Sequence, residues 1–175
     1  MQTEHNARAV SATSQAPGDT VGTLCRFERF HDILIQAAPA EVLDYVSNPN
    51  SWPEWIAASH QIESPDRPLQ QGETFRERWA TRTGEFILDW VVTVRQHPLL
   101  WEAQTSTPFT GVIVVRYEIE PEDGACRYRR CVTNPARPKM PTGDMVERMD
   151  EEARVSLQNI KNNVEKRNGR ALRAA

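Results

Sequence analysis

Between Ser59 and Asn134 the chain alternates runs of strand-forming residues with short turn signals. The turn signals are Pro65 to Pro68, Gln71-Gly72, Thr83-Gly84, His97-Pro98, Pro108 to Gly111 and Glu122 to Gly124. Their spacing of roughly 10 residues predicts about six strands, joined as hairpins in one antiparallel meander. Because this spacing leaves no room for crossover helices, we do not expect a doubly wound parallel sheet.

One more strand and two short helices are predicted before the meander. Phe27 to Gln36 alternates apolar and polar residues before an apolar end, which is typical of a strand. Pro39 then opens a helix that Asn48-Pro49 stops, because proline fits the first turn of a helix and breaks its interior.

The second short helix carries two tryptophans. Either Asn48 or Ser51 can cap its start. Trp52 and Trp55 lie three residues apart and therefore share one face. Helices this short, bounded by proline, are expected to serve as packing elements.

A long amphipathic helix is predicted at the C-terminal end. Thr142 can cap it, and it should run to about Lys166, a length of roughly 36 Å at 1.5 Å per residue. Its apolar stripe consists of Met145, Met149, Ala153, Leu157, Ile160 and Val164. Gly169 should fray the end of this helix. We therefore expect a disordered arm at residues 1–24, one domain at 25–168 and a basic tail at 169–175.

About seven antiparallel strands and one helix of this length can pack if the sheet curves and grips the helix. This order of elements, together with Trp52-Pro-Glu-Trp55, Gly72-Glu-Thr-Phe-Arg-Glu-Arg-Trp79 and Leu88-Asp-Trp90, resembles the START-like (SRPBCC) superfamily. Its polyketide cyclase/dehydrase and lipid-transport branch is the most similar. The resemblance covers about residues 27 to 166. It implies an α+β helix-grip fold with a deep internal pocket, used by different members to carry lipids, bind hydrophobic metabolites or catalyse cyclisation.

Alternation along the strands predicts which side chains face the pocket, because successive residues of a strand point to opposite faces. The more apolar phase of each strand contains Phe75, Glu77 and Trp79; Phe86, Leu88, Trp90, Val92 and Val94; Ile113, Val115, Tyr117 and Ile119; and Cys126, Tyr128, Arg130 and Val132. The candidate ligand-binding residues are Phe75, Glu77, Trp79, Leu88, Trp90, Trp101, Tyr117, Tyr128, Arg130, Met145 and Met149. For the aromatic members, plain core packing is the alternative to pocket lining.

Two of these candidates carry opposite charges. An unpaired charge inside a protein costs several kcal/mol, so Glu77 and Arg130 must be paired, solvated or occupied by a ligand. Their strands are separated by about three others, at about 4.8 Å per strand, so direct contact requires strong curvature of the sheet. A ligand's polar end or ordered water would bridge them otherwise. A β-bulge that reverses the alternation would instead expose one of them.

Composition narrows the class of protein. The net charge of −3 and the scattered basic residues give no reason to expect a nucleic-acid partner. No apolar run reaches the length of a membrane span and no secretion signal is visible, so we expect a cytoplasmic protein without stable membrane insertion. Cys126 and Cys131 lie five apart on one strand, which places them on opposite faces, and Cys25 is isolated, so reduced thiols are expected.

Reactive-site motifs are not found in the sequence. The four histidines are dispersed and form no metal-ligand pattern, and the single glycines form no phosphate-binding loop. We therefore expect no metal and no cofactor.

Three functional hypotheses remain. The first is binding, transport or sequestration of a hydrophobic or aromatic small molecule. The second is a cyclase, aromatase or dehydratase acting on a polyketide-like substrate through Arg130, Glu77 or Tyr117, and the third is a noncatalytic interaction module with a filled cavity. The sequence does not fix the ligand, the oligomeric state or the role of the N-terminal arm.

Overall fold

A single antiparallel sheet of seven strands forms most of the structure, a computed structural model that describes residues 24–57, 59–81 and 84–174. Its elements are β1 (Cys25–Ile35), α1 (Pro39–Val46), a 3₁₀ helix (Pro49–Glu54), β2 (Ser59–Glu63), β3 (Thr74–Thr81), β4 (Gly84–Gln96), β5 (Leu100–Thr107), β6 (Gly111–Glu122), β7 (Ala125–Arg137) and α2 (Gly143–Ala174). The predicted α+β helix-grip arrangement is confirmed. The predicted arm, residues 1–24, lies outside the described residues except for Leu24.

The strand order is β1-β7-β6-β5-β4-β3-β2, and every neighbouring pair is antiparallel. The meander therefore runs from β2 to β7, and β1 joins it beside the last strand. We call the face of the sheet that packs against α2 the concave face. The end of the sheet that carries the β3–β4 turn, the β5–β6 turn and the start of α2 is called the open end.

The helix starts are set by capping, as predicted. The Asn48 side chain accepts a hydrogen bond from the Asn50 backbone N–H at 3.1 Å, which identifies Asn48 rather than Ser51 as the cap of the 3₁₀ helix. The Thr142 hydroxyl accepts from the Met145 backbone N–H at 3.4 Å at the start of α2. The end of α2 differs from the prediction, because the helix continues past Lys166 to Ala174.

A β-bulge in β4 makes one inward prediction wrong. The register shifts between Val92, which pairs with Ala103, and Val94, which pairs with Glu102. One extra residue reverses the alternation, so Val94 lies on the outer face and Arg95 takes the inward position opposite Trp101. The predicted inward position of Val94 is therefore corrected.

Aromatic side chains fill the concave face at the end away from the open end. The Trp52 ring makes edge contacts with Trp55, Phe75, Trp90 and Trp101 at centroid distances of 5.2–6.5 Å. All five side chains are buried. Since aromatic edge contacts add stability beyond their buried area, this cluster fixes the 3₁₀ helix against the sheet.

Helix α2 runs along β1 across the concave face. Near its start Asp150 contacts β1, and further along the Lys161 ammonium donates to the Leu34 carbonyl at 2.8 Å. Leu157, Ile160 and Val164 of α2 are buried, as expected for the predicted apolar stripe. No described helix is both long and apolar enough to cross a membrane. None of the three cysteines, which all lie in the described part of the chain, forms a disulfide.

Candidate ligand-binding site

On β4, β6, β7 and α2 the burial of inward apolar side chains decreases towards the open end, whereas Phe27 on β1 and Asn134 on β7 are buried at the same end. Phe86 on β4, Ile113 on β6 and Val132 on β7 face inward but are only partly buried, whereas the inward apolar and aromatic residues deeper along the same strands are almost fully buried. Helix α2 follows the same trend, since Met149 is partly buried and Met145 is 39% exposed. Strands β4, β6 and β7 and helix α2 therefore point partly exposed apolar side chains into one region. This region lies between the start of α2 and the half of the sheet next to the open end, which we call the open half.

Polar side chains occupy the middle of this face. Glu77 is 3% exposed, and its Oε2 accepts a hydrogen bond from the Trp90 indole N–H at 2.9 Å. Glu77 and Arg130 are not joined by an ion pair in the described part of the chain. The charges of both act on the hydroxyl of Tyr117. Burial of Glu77 excludes the possibility that a bulge exposes it.

Tyr117 is fixed by its neighbours on both sides. Its ring stacks on Trp101 at a centroid distance of 5.2 Å and makes an edge contact with Tyr128 at 5.9 Å. Burial raises the pKa of the Tyr117 hydroxyl to about 12, although the neighbouring Arg130 guanidinium opposes this shift. The phenol is therefore protonated at neutral pH and can donate a hydrogen bond.

Tyr128 and Arg130 each contain a buried polar atom that is a candidate ligand contact. The Tyr128 hydroxyl and the Arg130 Nε are buried, and neither has a hydrogen-bond partner among the described residues. Burial is the main cause that raises the pKa of Tyr128. The Arg130 guanidinium lies over the Trp55 ring, 5.9 Å from its centroid. Because buried polar groups are normally hydrogen-bonded, this pair is a candidate point of contact for a ligand.

Next to this pair lies a charged group that sequence reasoning did not include. His31 is the register partner of Arg130 on β1, and its Nε2 lies 3.0 Å from Asp150 Oδ1 of α2. Arg29 Nε donates to the same carboxylate oxygen at 2.9 Å. The Arg29 guanidinium lowers the pKa of Asp150. The position of His31 in the same phase as Phe27 was the available sequence signal.

The predicted site residues are not equally placed. Phe75, Glu77, Leu88, Trp90, Trp101, Tyr117 and Tyr128 are buried on the concave face, and Phe75 stacks on Trp90 at 5.9 Å. Arg130 and Met149 are partly buried. Trp79 and Met145 are 37% and 39% exposed, respectively. Trp55 is buried in the core, as expected of a packing element, and its ring also contacts the Arg130 guanidinium. Its role could not be predicted from strand alternation, since Trp55 follows the 3₁₀ helix.

Two clefts lie elsewhere on the surface. One of about 350 Å³ lies between α1 and α2 and is lined by Glu41, Asp44, Tyr45, Asn48, Pro68, Val164 and Arg167. Its polar groups already bind one another: the Tyr45 hydroxyl donates to Glu54 at 2.9 Å, and Arg167 pairs with the same carboxylate at 2.9 Å. The other, of about 470 Å³, lies beside Arg76 and Asp89, which also pair with each other at 2.8 Å. Neither cleft contains the unsatisfied polar atoms.

Metal ligands are not grouped in the described chain. Among residues 24–57, 59–81 and 84–174, no three His, Cys, Asp or Glu side chains are close enough to hold a metal ion.

Comparison with known proteins agrees with this architecture. Residues 27–165 match the family described as polyketide cyclase / dehydrase and lipid transport. No curated protein matches the sequence. The solved structures that resemble it include the protein of unknown function SA2116 from Staphylococcus aureus, with a TM-score of 0.65 and 13% identity over 83% of this chain and 98% of that one.

Two further structures show the range of proteins that share the fold. The di-domain ARO/CYC StfQ from the steffimycin biosynthetic pathway gives a TM-score of 0.62 and 14% identity, over 82% of this chain and 52% of that one. Ara h 8.0201 gives a TM-score of 0.59 and 14% identity, over 80% of this chain and 98% of that one. At these identities the similarity establishes the fold.

Proposed function

The chain belongs to the polyketide cyclase / dehydrase and lipid transport family, and we propose that it binds a hydrophobic or aromatic small molecule on the concave face, between the start of α2 and the open half of the sheet. The ligand's apolar part contacts Ile113, Val132 and Met149. Its polar end lies towards Tyr117 and Arg130. Binding here serves transport or sequestration of the molecule.

The observation that carries this proposal is the shared gradient of burial. Inward apolar residues on β4, β6, β7 and α2 are all less buried at the open end than deeper in the fold. A concave, mostly apolar surface with a few converging polar groups is the usual form of a small-molecule site. Covering it with an apolar ligand would contribute about 25 cal/mol for each Å² of apolar surface removed from water.

The interaction-module hypothesis is less well supported. It requires the inward polar residues to be exposed or tightly paired. The Tyr128 hydroxyl and the Arg130 Nε are instead buried, without a hydrogen-bond partner among the described residues. In an interior that serves only for packing, such groups are expected to be paired or absent, because each unsatisfied buried group destabilises the fold by about 1–3 kcal/mol.

Ligand binding can be tested directly. The purified protein is extracted with organic solvent and the extract examined by mass spectrometry, and the protein is titrated with a panel of fatty acids and polycyclic phenols while Trp fluorescence is recorded. Trp52, Trp55, Trp90 and Trp101 lie in one contact cluster on the concave face, so a bound ligand should change their emission. Failure of the whole panel to bind, together with an empty extract, contradicts the proposal.

A matched pair of variants locates the binding event. Ile113→Phe adds volume on the concave face and should weaken binding by about tenfold or more, since overpacking costs about 1–3 kcal/mol. Val112→Phe adds the same ring at the neighbouring position, which is 37% exposed, and should leave affinity nearly unchanged. Equal effects of the two substitutions would place the ligand elsewhere.

A second candidate is cyclisation or dehydration of a polyketide-like substrate. It is favoured by the Tyr117 hydroxyl, on which the charges of both Arg130 and Glu77 act. A protonated phenol beside a guanidinium can stabilise an enolate oxygen, and a carboxylate can accept a proton. Turnover of a poly-β-ketone thioester that is lost in both Arg130→Ala and Glu77→Gln would support this activity, and turnover unaffected by both would exclude the mechanism.

A further inference from the structure

We propose that the ligand is an apolar carboxylic acid, and that Tyr128 and Arg130 bind its carboxylate. This inference rests on the proposed function and specifies the chemistry of the same site. It makes the buried end of the site selective for an anion.

The two residues form one binding unit. They are two residues apart on β7, so their side chains project from the same face of the sheet. Arg130 Nε can only donate a hydrogen bond, and the Tyr128 hydroxyl is held protonated by its burial. Two buried donors without partners among the described residues therefore require an acceptor, and a carboxylate supplies two acceptor oxygens.

The charge of Arg130 selects an anion over a neutral acceptor. The other arginines that face inward have acidic partners: Arg29 pairs with Asp150, and Arg95 pairs with Asp44 at 3.2 Å. No acid of the described chain forms an ion pair with Arg130. A partly buried guanidinium without a counter-ion is costly, and a ligand anion would compensate its charge.

Glu77 lies on a different strand from the Tyr128 and Arg130 pair. It is on β3, and three strands separate it from β7, each about 4.8 Å from the next. The ionic charge that acts on Tyr128 is that of Arg130, whereas Tyr117 is affected by both Arg130 and Glu77.

The surroundings of the pair set the direction of the ligand. Val132 follows Arg130 by two residues on the same face and is partly buried, and Ile113 and Met149 lie further towards the open end. An acid whose carboxylate contacts Tyr128 and Arg130 would extend its apolar part along these side chains. The apolar part then leaves the deep aromatic cluster undisturbed.

Matched acids and amides test the inference. The wild-type protein is titrated with decanoate and decanamide, and with 1-pyrenebutyrate and 1-pyrenebutanamide, by Trp fluorescence and calorimetry. Each amide keeps the shape of its acid but carries no charge. We expect the acids to bind about tenfold or more tightly than the amides, as for a hydrogen bond to a charged group.

Three variants show which residues cause the preference for acids over amides. Arg130→Gln should abolish the preference for the acid, and Tyr128→Phe should reduce it severalfold. Arg148→Gln removes an exposed arginine of α2 and should keep it. Circular dichroism checks that each variant is folded. If Arg130→Gln does not fold, Tyr128→Phe and the wild-type ratio decide.

Equal binding of acids and amides to the wild-type protein, or a preference that survives both Arg130→Gln and Tyr128→Phe, would overturn the inference while leaving the binding function intact. Binding of neither acids, amides nor the wider panel would contradict the binding function, and the inference with it.

Discussion

The indole N–H of Trp90 donates a hydrogen bond to the buried carboxylate of Glu77, at 2.9 Å between Nε1 and Oε2. The two residues lie on adjacent strands, β4 and β3, with Trp90 directly opposite Phe75 in the register. This bond places a carboxylate on a largely aromatic face and fixes the orientation of the indole. It joins the aromatic cluster to the polar side chains in the middle of the concave face.

Trp90→Phe should lower the free energy of unfolding by about 1–3 kcal/mol for the lost hydrogen bond, in addition to the smaller ring. Urea denaturation measures the change. A double-mutant cycle with Glu77→Leu separates the two effects, because only the hydrogen bond couples the residues. A coupling energy near zero would mean that the bond does not contribute to stability.

Alkaline pH should destabilise the protein through Tyr117. In the unfolded chain a tyrosine ionises near pH 10, whereas the folded pKa of Tyr117 is about 12. The folded state therefore retains the proton, and the contribution of Tyr117, present in full below pH 10, is lost as pH rises from about 10 to about 12. The shift corresponds to about 2–3 kcal/mol.

Urea denaturation between pH 8 and pH 12 measures this loss, and Tyr117→Phe should make the decline with pH shallower than in the wild-type protein. Tyr45 and Tyr128 also have raised pKa values, but they are present in both proteins. Parallel pH profiles for the two proteins would contradict the assignment.

Asp150 should hold the start of α2 against β1. It contacts Arg29 and His31, and the Arg29 guanidinium lowers its pKa. Its contribution is therefore present above the ordinary aspartate pKa and is lost as pH falls through the lowered value. Asp150→Asn should speed hydrogen exchange in residues 143–152 at pH 7 more than in the rest of α2.

Glu147→Gln is the matched control for that measurement, because Glu147 is an exposed acid near the start of the same helix. It should leave the exchange of residues 143–152 close to that of the wild-type protein. If the two substitutions have the same effect, general helix electrostatics rather than the contact with β1 holds this segment.

The bulge in β4 gives a prediction for two neighbouring residues. Arg95, whose side chain is 10% exposed, donates to Ser47 Oγ at 3.2 Å and to the Leu69 carbonyl at 3.4 Å. Arg95→Met should lower the free energy of unfolding by about 1–3 kcal/mol, because the Ser47 hydroxyl and the Asp44 carboxylate lose this donor. Val94→Met on the outer face should change it by less than about 0.5 kcal/mol. The reverse order in urea denaturation would contradict the register.

Strand alternation predicted the fold well because most of the inward phase is apolar. Ile113 to Ile119 on β6 and Cys126 to Val132 on β7 follow the predicted phase. The phase of β4 could not be predicted beyond Val92, since a bulge adds one residue without a distinct sequence signal. Arg95 therefore took a position that was assigned to Val94.

The site was less predictable than the fold because its parts come from distant segments. Trp55 lies beneath Arg130 only because the two short helices pack on the concave face, and Asp150 reaches His31 only because α2 runs beside β1. Contacts between residues more than seventy positions apart depend on tertiary structure, and local periodicity contains no information about them.

Methyl NMR tests the central claim most directly. The methyl signals of Ile113, Val132, Met145, Met149 and Val164 are assigned, and the protein is titrated with the tightest binder of the fatty acid and polycyclic phenol panel. The account predicts large shifts for the first four residues, which lie around the open half of the concave face, and little change for Val164, which lines the surface cleft between α1 and α2. Shifts confined to Val164, or no shifts at saturating ligand, would contradict it.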